Sequence, residues 1–168
     1  MHAIAALFVL AAAVDGGAPP AIAIVGDLVK NVSLSVKELE ALGPGPVVVD
    51  WSDKAGPHKV KGVRLDQLLL HVGFTEGPMG PQADPKLKHS GLRAVVVATA
   101  ADGFVAVFSL GELLETLGPT AALVVWEIDG HPLAPTTGPF RIVVVTDKKP
   151  SRSLHQLTSL RVVEFPKR

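Results

Sequence analysis

The sequence predicts an α+β fold that is built mainly from β-strands. About eight short apolar runs read as strands, and turn residues or loops separate them rather than long helices. That spacing argues against a doubly wound parallel sheet, in which helices of 10–15 residues alternate with strands. The remaining periodic segments fit three short helices. We therefore expect a β-rich, mixed-sheet or barrel-like domain.

Each strand is bounded by residues that favour turns. The eight predicted strands cover residues 21–25, 29–34, 47–51, 92–101, 104–108, 121–128, 139–146 and 159–165. Residues 59–63 alternate polar and apolar side chains, which is typical of a half-buried strand. Between two of the strands lies Asp102-Gly103, a strong signal for a two-residue hairpin.

Helix start and stop signals place the three short helices. Ser35 and Glu38 have the spacing of a capping box, as do Ser109 and Glu112. The leucines and valine between Leu65 and Val72 recur at helical spacing and end on a glycine. Residues 75–91 are interrupted by Gly and Pro, and we expect a long loop there, of a kind that is often functional.

Composition excludes several classes of function. The 168 residues suit one domain, and 16 Lys plus Arg balance 16 Asp plus Glu, so nucleic-acid binding is not expected. The absence of cysteine excludes disulfides, thiolate metal sites and cysteine nucleophiles. No G-x-S-x-G, H-E-x-x-H, Walker A or strand-linked G-x-G-x-x-G motif occurs.

The N-terminus predicts export. Ala3 to Val14 are all apolar, which is the length of a signal-peptide core and too short to span a bilayer. We expect a signal peptide at residues 1–18, one domain at 19–168, and a periplasmic or secreted protein that does not insert into the membrane after cleavage. Because no Lys or Arg precedes the apolar run, a buried first strand or helix is the alternative.

Basic residues gather near the C-terminus. Arg141 opens an apolar strand, where a cation is costly unless it reaches water or an anion. Arg152 and His155 follow in the returning chain, and guanidinium groups bind carboxylates, phosphates or polar heteroaromatic edges in bidentate fashion. The alternatives are an arginine whose stem lies on apolar surface and a solvated basic loop.

Three further residues suit a flat heterocycle. Trp51 ends its strand and could stack on such a ring at the mouth of a pocket, whereas Trp126 fits core packing better than stacking. Asp102 is foremost a turn residue, but its carboxylate could also accept two N–H groups from a ring edge.

Four segments, in order along residues 21–165, resemble the molybdopterin-binding domain of sulfite-oxidase-type oxidoreductases. They are Lys61 to Leu69, Ala100 to Phe104, Leu123 to Val145 and Ser151 to Val162. Enzymes of that family hold molybdenum through a cysteine thiolate, whereas this chain has Asp50, Trp51, Ser52 and Asp53 in roughly that place. Small, cysteine-free relatives are periplasmic pterin-binding proteins that report to a membrane signalling partner, and they tend to have tryptophan where His155 stands here.

The resemblance implies a sulfite-oxidase-type fold and three possible functions. The first is an exported protein that binds a pterin-type heterocycle without redox catalysis, through Arg141, Arg152, Asp102, Trp51, His155 and Trp126, and that serves a membrane signalling or redox protein. The second is a molybdopterin-dependent oxidoreductase, for which a thiolate ligand to molybdenum is not expected. The third is an interaction domain with no ligand.

Overall fold

The computed structural model describes residues 19–27, 29–75, 90–115, 117–118 and 120–165. The predicted signal peptide and almost all of the predicted 75–91 loop lie outside the described residues. Within the described part, strands and short helices follow one another as β1 (Ala21–Gly26), β2 (Val32–Ser35), α1 (Val36–Glu40), β3 (Val47–Asp53), β4 (Gly56–Arg64), α2 (Leu65–His71), β5 (Ala94–Ala100), β6 (Val105–Ser109), α3 (Leu110–Leu113), β7 (Ala122–Ile128), β8 (His131–Pro132), β9 (Arg141–Val144) and β10 (Leu157–Glu164). Two 3₁₀ turns, Ser90–Arg93 and Pro150–Arg152, complete this part of the chain.

The strands form two five-stranded sheets. The first sheet has the order β2-β1-β10-β5-β6, in which β1 runs parallel to β10 and the other neighbours are antiparallel. In the second sheet β3, β4 and β7 lie side by side, and both β8 and β9 pair with β7. The prediction of an α+β fold rich in strands is confirmed, with the strands divided between two sheets.

One large apolar core joins the two sheets. Strands β1, β5 and β10 contribute Ile24, Val96 and Leu160, while β7 contributes Val124, and the short helices add further leucines. The opposite face of the second sheet carries a smaller cluster composed of Trp51, Val60, Leu123, Val125 and Val143. Since side chains alternate along a strand, β7 supplies both clusters.

Element boundaries differ from the sequence prediction at a few points. Strand β9 starts at Arg141 rather than at residue 139, because Pro139 has no N–H to donate to a strand partner. The alternating stretch at 59–63 belongs to a nine-residue strand, Gly56–Arg64. Strand β8 was not predicted, since two residues are too few to show a period. Among the described residues, no helix combines the length and apolarity needed to cross a membrane.

Candidate functional site

A buried arginine lies at the centre of the candidate site. Arg141, the first residue of β9, is only 4% exposed, and its guanidinium carbon lies 4.8 Å from the centre of the Trp51 ring. Its Nε has no hydrogen-bond partner within the described part of the chain. Burial lowers the pKa of Arg141, and the nearby charge of Asp53 opposes that shift only in part. The site therefore holds a desolvated cation with no anion bonded to it in the described structure.

Strand pairing places Arg141 on the face of the smaller cluster. Arg141 lies opposite Val125 of β7, and both residues are buried on the face that carries Trp51. Trp51 belongs to β3, with strands β4 and β7 between it and β9. The side chains of Arg141 and Trp51 are therefore in contact on the sheet face that also carries the buried Val60 and Val125.

Two backbone hydrogen bonds bring His155 to the same place. The N–H of Ile142 donates to the carbonyl of Leu154 at 2.9 Å, and the N–H of Leu157 donates to the carbonyl of Phe140 at 2.8 Å. These two bonds lie on either side of Arg141 in β9 and of His155 in the segment that precedes β10. Partial burial, followed by the charge of Arg141, lowers the pKa of His155. His155 is therefore a mainly neutral donor or acceptor near pH 7.

Asp102 has the expected turn role and also lies near this group. Its Oδ1 accepts the N–H of Phe104 at 2.9 Å. The adjacent Ala101 donates its N–H to the carbonyl of Gln156 at 2.9 Å, which ties the β5–β6 turn to the segment that carries His155. The charge of Asp102 acts on His155, where it opposes the lowering of the pKa.

A second layer of the site is composed of Asp53, His58 and Asp129, whose mutual contacts the sequence did not reveal. His58 Nδ1 lies 2.8 Å from Asp129 Oδ2, and His58 Nε2 lies 3.4 Å from Asp53 Oδ1. The hydrogen bond to Asp129 is the main cause that raises the pKa of His58, and it lowers the pKa of Asp129 in return. The only sequence signals were the turn residues beside them, Gly56-Pro57 and Gly130.

Trp126 lies away from the arginine. Because Val125 shares a face with Arg141, the next residue of β7 points to the other face, where Trp126 joins the large core. Its Nε1 has no hydrogen-bond partner among the described residues. Trp126 lines a separate cleft of about 290 Å³ together with Leu133 and Pro139.

Arg152 is also separate from Arg141, and carboxylates occupy its guanidinium group. Two parallel hydrogen bonds of 2.8 and 2.9 Å join it to Asp147, and a third of 3.1 Å joins it to Glu112. Its guanidinium carbon lies 5.1 Å from the centre of the Phe108 ring. These partners, with Asp147 first, raise the pKa of Arg152 above its usual range. The partners of Arg152, which are Asp147, Glu112 and Phe108, do not contact the guanidinium of Arg141 in the described structure. The structure therefore does not bring the two arginines together.

The donor set fits the ring of a pterin better than it fits the metal of a molybdenum cofactor. A guanidinium can serve ring acceptors through its terminal N–H groups, and the nearby carboxylates can serve ring N–H groups. Roughly where the enzymes that the sequence resembles carry their cysteine, this chain has Asp50, Trp51, Ser52 and Asp53. In the described ranges no group of three His, Asp or Glu side chains is arranged to hold a metal ion.

Comparison with known proteins shows a distant relation at the level of the fold. No family model matches the sequence, and no curated protein matches it. Among solved structures, the chain is similar to the sulfane dehydrogenase SoxCD from Paracoccus pantotrophus, with a TM-score of 0.60 and 14% identity over 87% of this chain. The match spans 38% of the SoxCD chain. The architecture is thus an α+β fold of the sulfite-oxidase type.

Proposed function

We propose that this chain is an exported binding protein for a pterin-type heterocycle, which it holds at Arg141 without redox catalysis. One observation carries the proposal: Arg141 is 4% exposed and pairs with no anion in the described structure. An unpaired buried cation costs several kcal/mol, which a bound ligand with acceptor or anionic groups offsets. A site that is unfavourable when empty is a natural binding site.

The side chains around Arg141 match the edges of a pterin. The ring presents acceptor atoms, which suit guanidinium N–H groups, and an amino-pyrimidine edge with two N–H donors, which suits a carboxylate. Asp53 and Asp102 supply the carboxylates near His155. Trp51 is 6% exposed and lies under the guanidinium, so we assign it the support of Arg141 rather than direct stacking on the ligand.

The missing thiol favours binding over catalysis. The enzymes that the sequence resembles fix molybdenum through a cysteine, and this chain has none. A pterin can still be gripped by hydrogen bonds alone. The apolar N-terminal run supports export, and a membrane-bound signalling or redox protein is the partner that we propose on the resemblance.

Fluorescence titration tests the proposal, because the chain has only two tryptophans. We expect a reduced or oxidised pterin to change the emission of the wild-type protein, and to change the emission of Trp126→Phe, which retains Trp51, more than that of Trp51→Phe. Replacement of Arg141 with methionine should weaken binding at least tenfold, whereas Arg161→Met, at an exposed position on β10, should not. Equal affinities for the Arg141 and Arg161 variants would refute the assignment.

The second candidate is a molybdopterin-dependent oxidoreductase. It is favoured by the likeness to a sulfane dehydrogenase, although fold alone does not imply function. Metal analysis of protein purified from its natural host separates the two candidates, since stoichiometric molybdenum supports the oxidoreductase. If neither a pterin nor a metal is found, the chain is an interaction domain.

A further inference from the structure

Three exposed apolar side chains lie close together at β6. Phe104, just before the strand, is 50% exposed, and within the strand Val105 is 46% and Val107 50% exposed. Ala106 and Phe108, which alternate with the two valines, belong to the large core. Strand β6 therefore has one apolar face on the core and a second apolar face towards solvent, which is typical of an interaction surface.

Strand β5 continues the apolar surface beside β6. Val95 and Val97 point to the same side as Val107, and each is only partly buried. Beyond them, Arg161 of β10 lies opposite Val97 and is exposed. The surface is thus apolar at the edge of the sheet and becomes charged two strands away from that edge.

Strand β6 is the last strand of its sheet in the described structure, and its sequence does not protect that edge. Its five residues include neither a charged side chain nor a proline, and its register with β5 continues without a bulge. Charges, prolines and bulges are the usual means by which an edge strand avoids pairing with another chain. The edge strand β3 of the second sheet, by contrast, carries Asp50 and Asp53.

The hydrogen-bond pattern shows which backbone groups of β6 are free to pair. The N–H of Ala100 donates to the carbonyl of Phe104 at 2.9 Å, and these two residues lie directly opposite each other in the β5–β6 register. Bonded pairs recur at every second residue of an antiparallel ladder, so Ala106 also bonds to β5. The N–H and C=O groups of Val105 and Val107 therefore point away from β5, to the side where no described strand lies.

We propose that β6 pairs with β6 of a second copy of this chain, antiparallel and across a two-fold axis at Ala106. Val105 of each copy then lies opposite Val107 of the other, and each of the two valine pairs forms two backbone hydrogen bonds. The exposed valines of both copies lie side by side on one face. The neighbouring register is less favourable, because it sets Val105 opposite Ser109, whose N–H already donates to Glu112 at 2.9 Å.

The charges on the strand favour a second copy as the partner. Two identical edges bring like charges together, and β6 has none, so the two copies meet without repulsion between their strands. The contact is narrow and lies below the about 1,000 Å² of a stable interface, so we expect a dimer that dissociates on dilution. Since β6 belongs to the first sheet and Arg141 to the second, this inference does not rest on the proposed ligand site.

Sedimentation velocity over a range of concentrations tests the pairing. We expect the wild-type chain to pass from monomer to dimer as its concentration rises through the micromolar range. Val107→Lys places two like charges on neighbouring strands and should raise the dissociation constant of the dimer at least tenfold. Val48→Lys adds the same charge at a 61% exposed position on β3 and should leave the constant unchanged. A wild-type chain that stays monomeric throughout, or equal constants for the two variants, would overturn the proposal.

Hydrogen exchange in the wild-type chain tests the register without any substitution. The N–H groups of Val105 and Val107 should exchange at least tenfold more slowly at concentrations where the dimer predominates than in the dilute monomer. Those of Ala106 and Phe108, which bond to β5, should exchange slowly at both concentrations. A dimer that leaves Val105 and Val107 unprotected uses another surface, and that result would refute the pairing through β6.

Discussion

Replacing Arg141 with methionine should stabilise the protein while abolishing ligand binding. Arg141 is 4% exposed and has no anion bonded to it in the described structure, so its charge pays a desolvation cost of several kcal/mol. Its contact with the face of Trp51 returns about 0.5–2 kcal/mol. Methionine keeps the apolar stem and its own favourable contact with the ring. The free energy of unfolding should therefore rise by about 1–3 kcal/mol.

Urea denaturation of the two proteins without ligand measures this difference. For a chain of this size, the gain corresponds to a rise in Tm of roughly 2–12 °C. Arg161→Met, at an exposed position, should change the stability by less than about 0.5 kcal/mol. A clear loss of stability in Arg141→Met would show that an anion already neutralises Arg141 in the free protein, and the argument for an empty anion site would fail.

Three further predictions concern the frame of the site. Arg152→Met should destabilise the protein by about 1–3 kcal/mol, because it leaves two half-buried carboxylates without their cation, and thermal unfolding measures the loss. Gly62→Ala should cost about 1–3 kcal/mol in the same assay, since a methyl group there meets the backbone of β7, whereas Gly111→Ala has room. NMR titration should find His58 half-protonated above pH 6.5 and His155 half-protonated below pH 6.5, because the pKa of His58 is raised and that of His155 is lowered. The stability that His58 contributes is therefore complete below pH 6.5, and it declines as the pH rises through the raised pKa of His58.

Local signals explain why the fold was predictable. The Ser35 and Glu38 capping box forms as its spacing indicates, with the Ser35 N–H donating to Glu38 Oε2 at 2.8 Å. The Asp102-Gly103 pair lies in the turn between β5 and β6 as expected, although this turn has four residues, from Ala101 to Phe104, rather than two. Both features depend on residues within four positions of each other, so the sequence alone contains the relevant geometry.

The site was less predictable because strand register decides it. Arg141 and Trp126 both belong to apolar strands, and nothing local says that their side chains occupy opposite faces of one sheet. The pairing of Val125 with Arg141 settles the matter, and that pairing joins residues 16 positions apart. The same limit applies to His58 and Asp129, whose contact spans 71 positions. The register of β4 against β7 brings that pair together.

The environment of Arg152 was only partly predictable from the sequence. Its bond to Asp147, five residues away, could have been suspected from the sequence, since a carboxylate stood in the same loop. Its bond to Glu112 spans 40 positions and depends on how α3 packs against that loop. Glu112 is the long-range partner that completes the neutralisation of Arg152. Only the structure could therefore show that Arg152 is paired with carboxylates whereas Arg141 is not.

The remaining half-buried cations make Arg141 stand out. Lys61 pairs with Glu40, Arg64 with Asp66, and Arg93 with Glu164, each at 2.9 Å or less. These side chains are about 30% exposed, yet each has a carboxylate within hydrogen-bond distance. Arg141 is the more deeply buried cation and has none in the described part. Because stability alone disfavours that arrangement, we propose that a bound acceptor or anion explains why an arginine stands at this position.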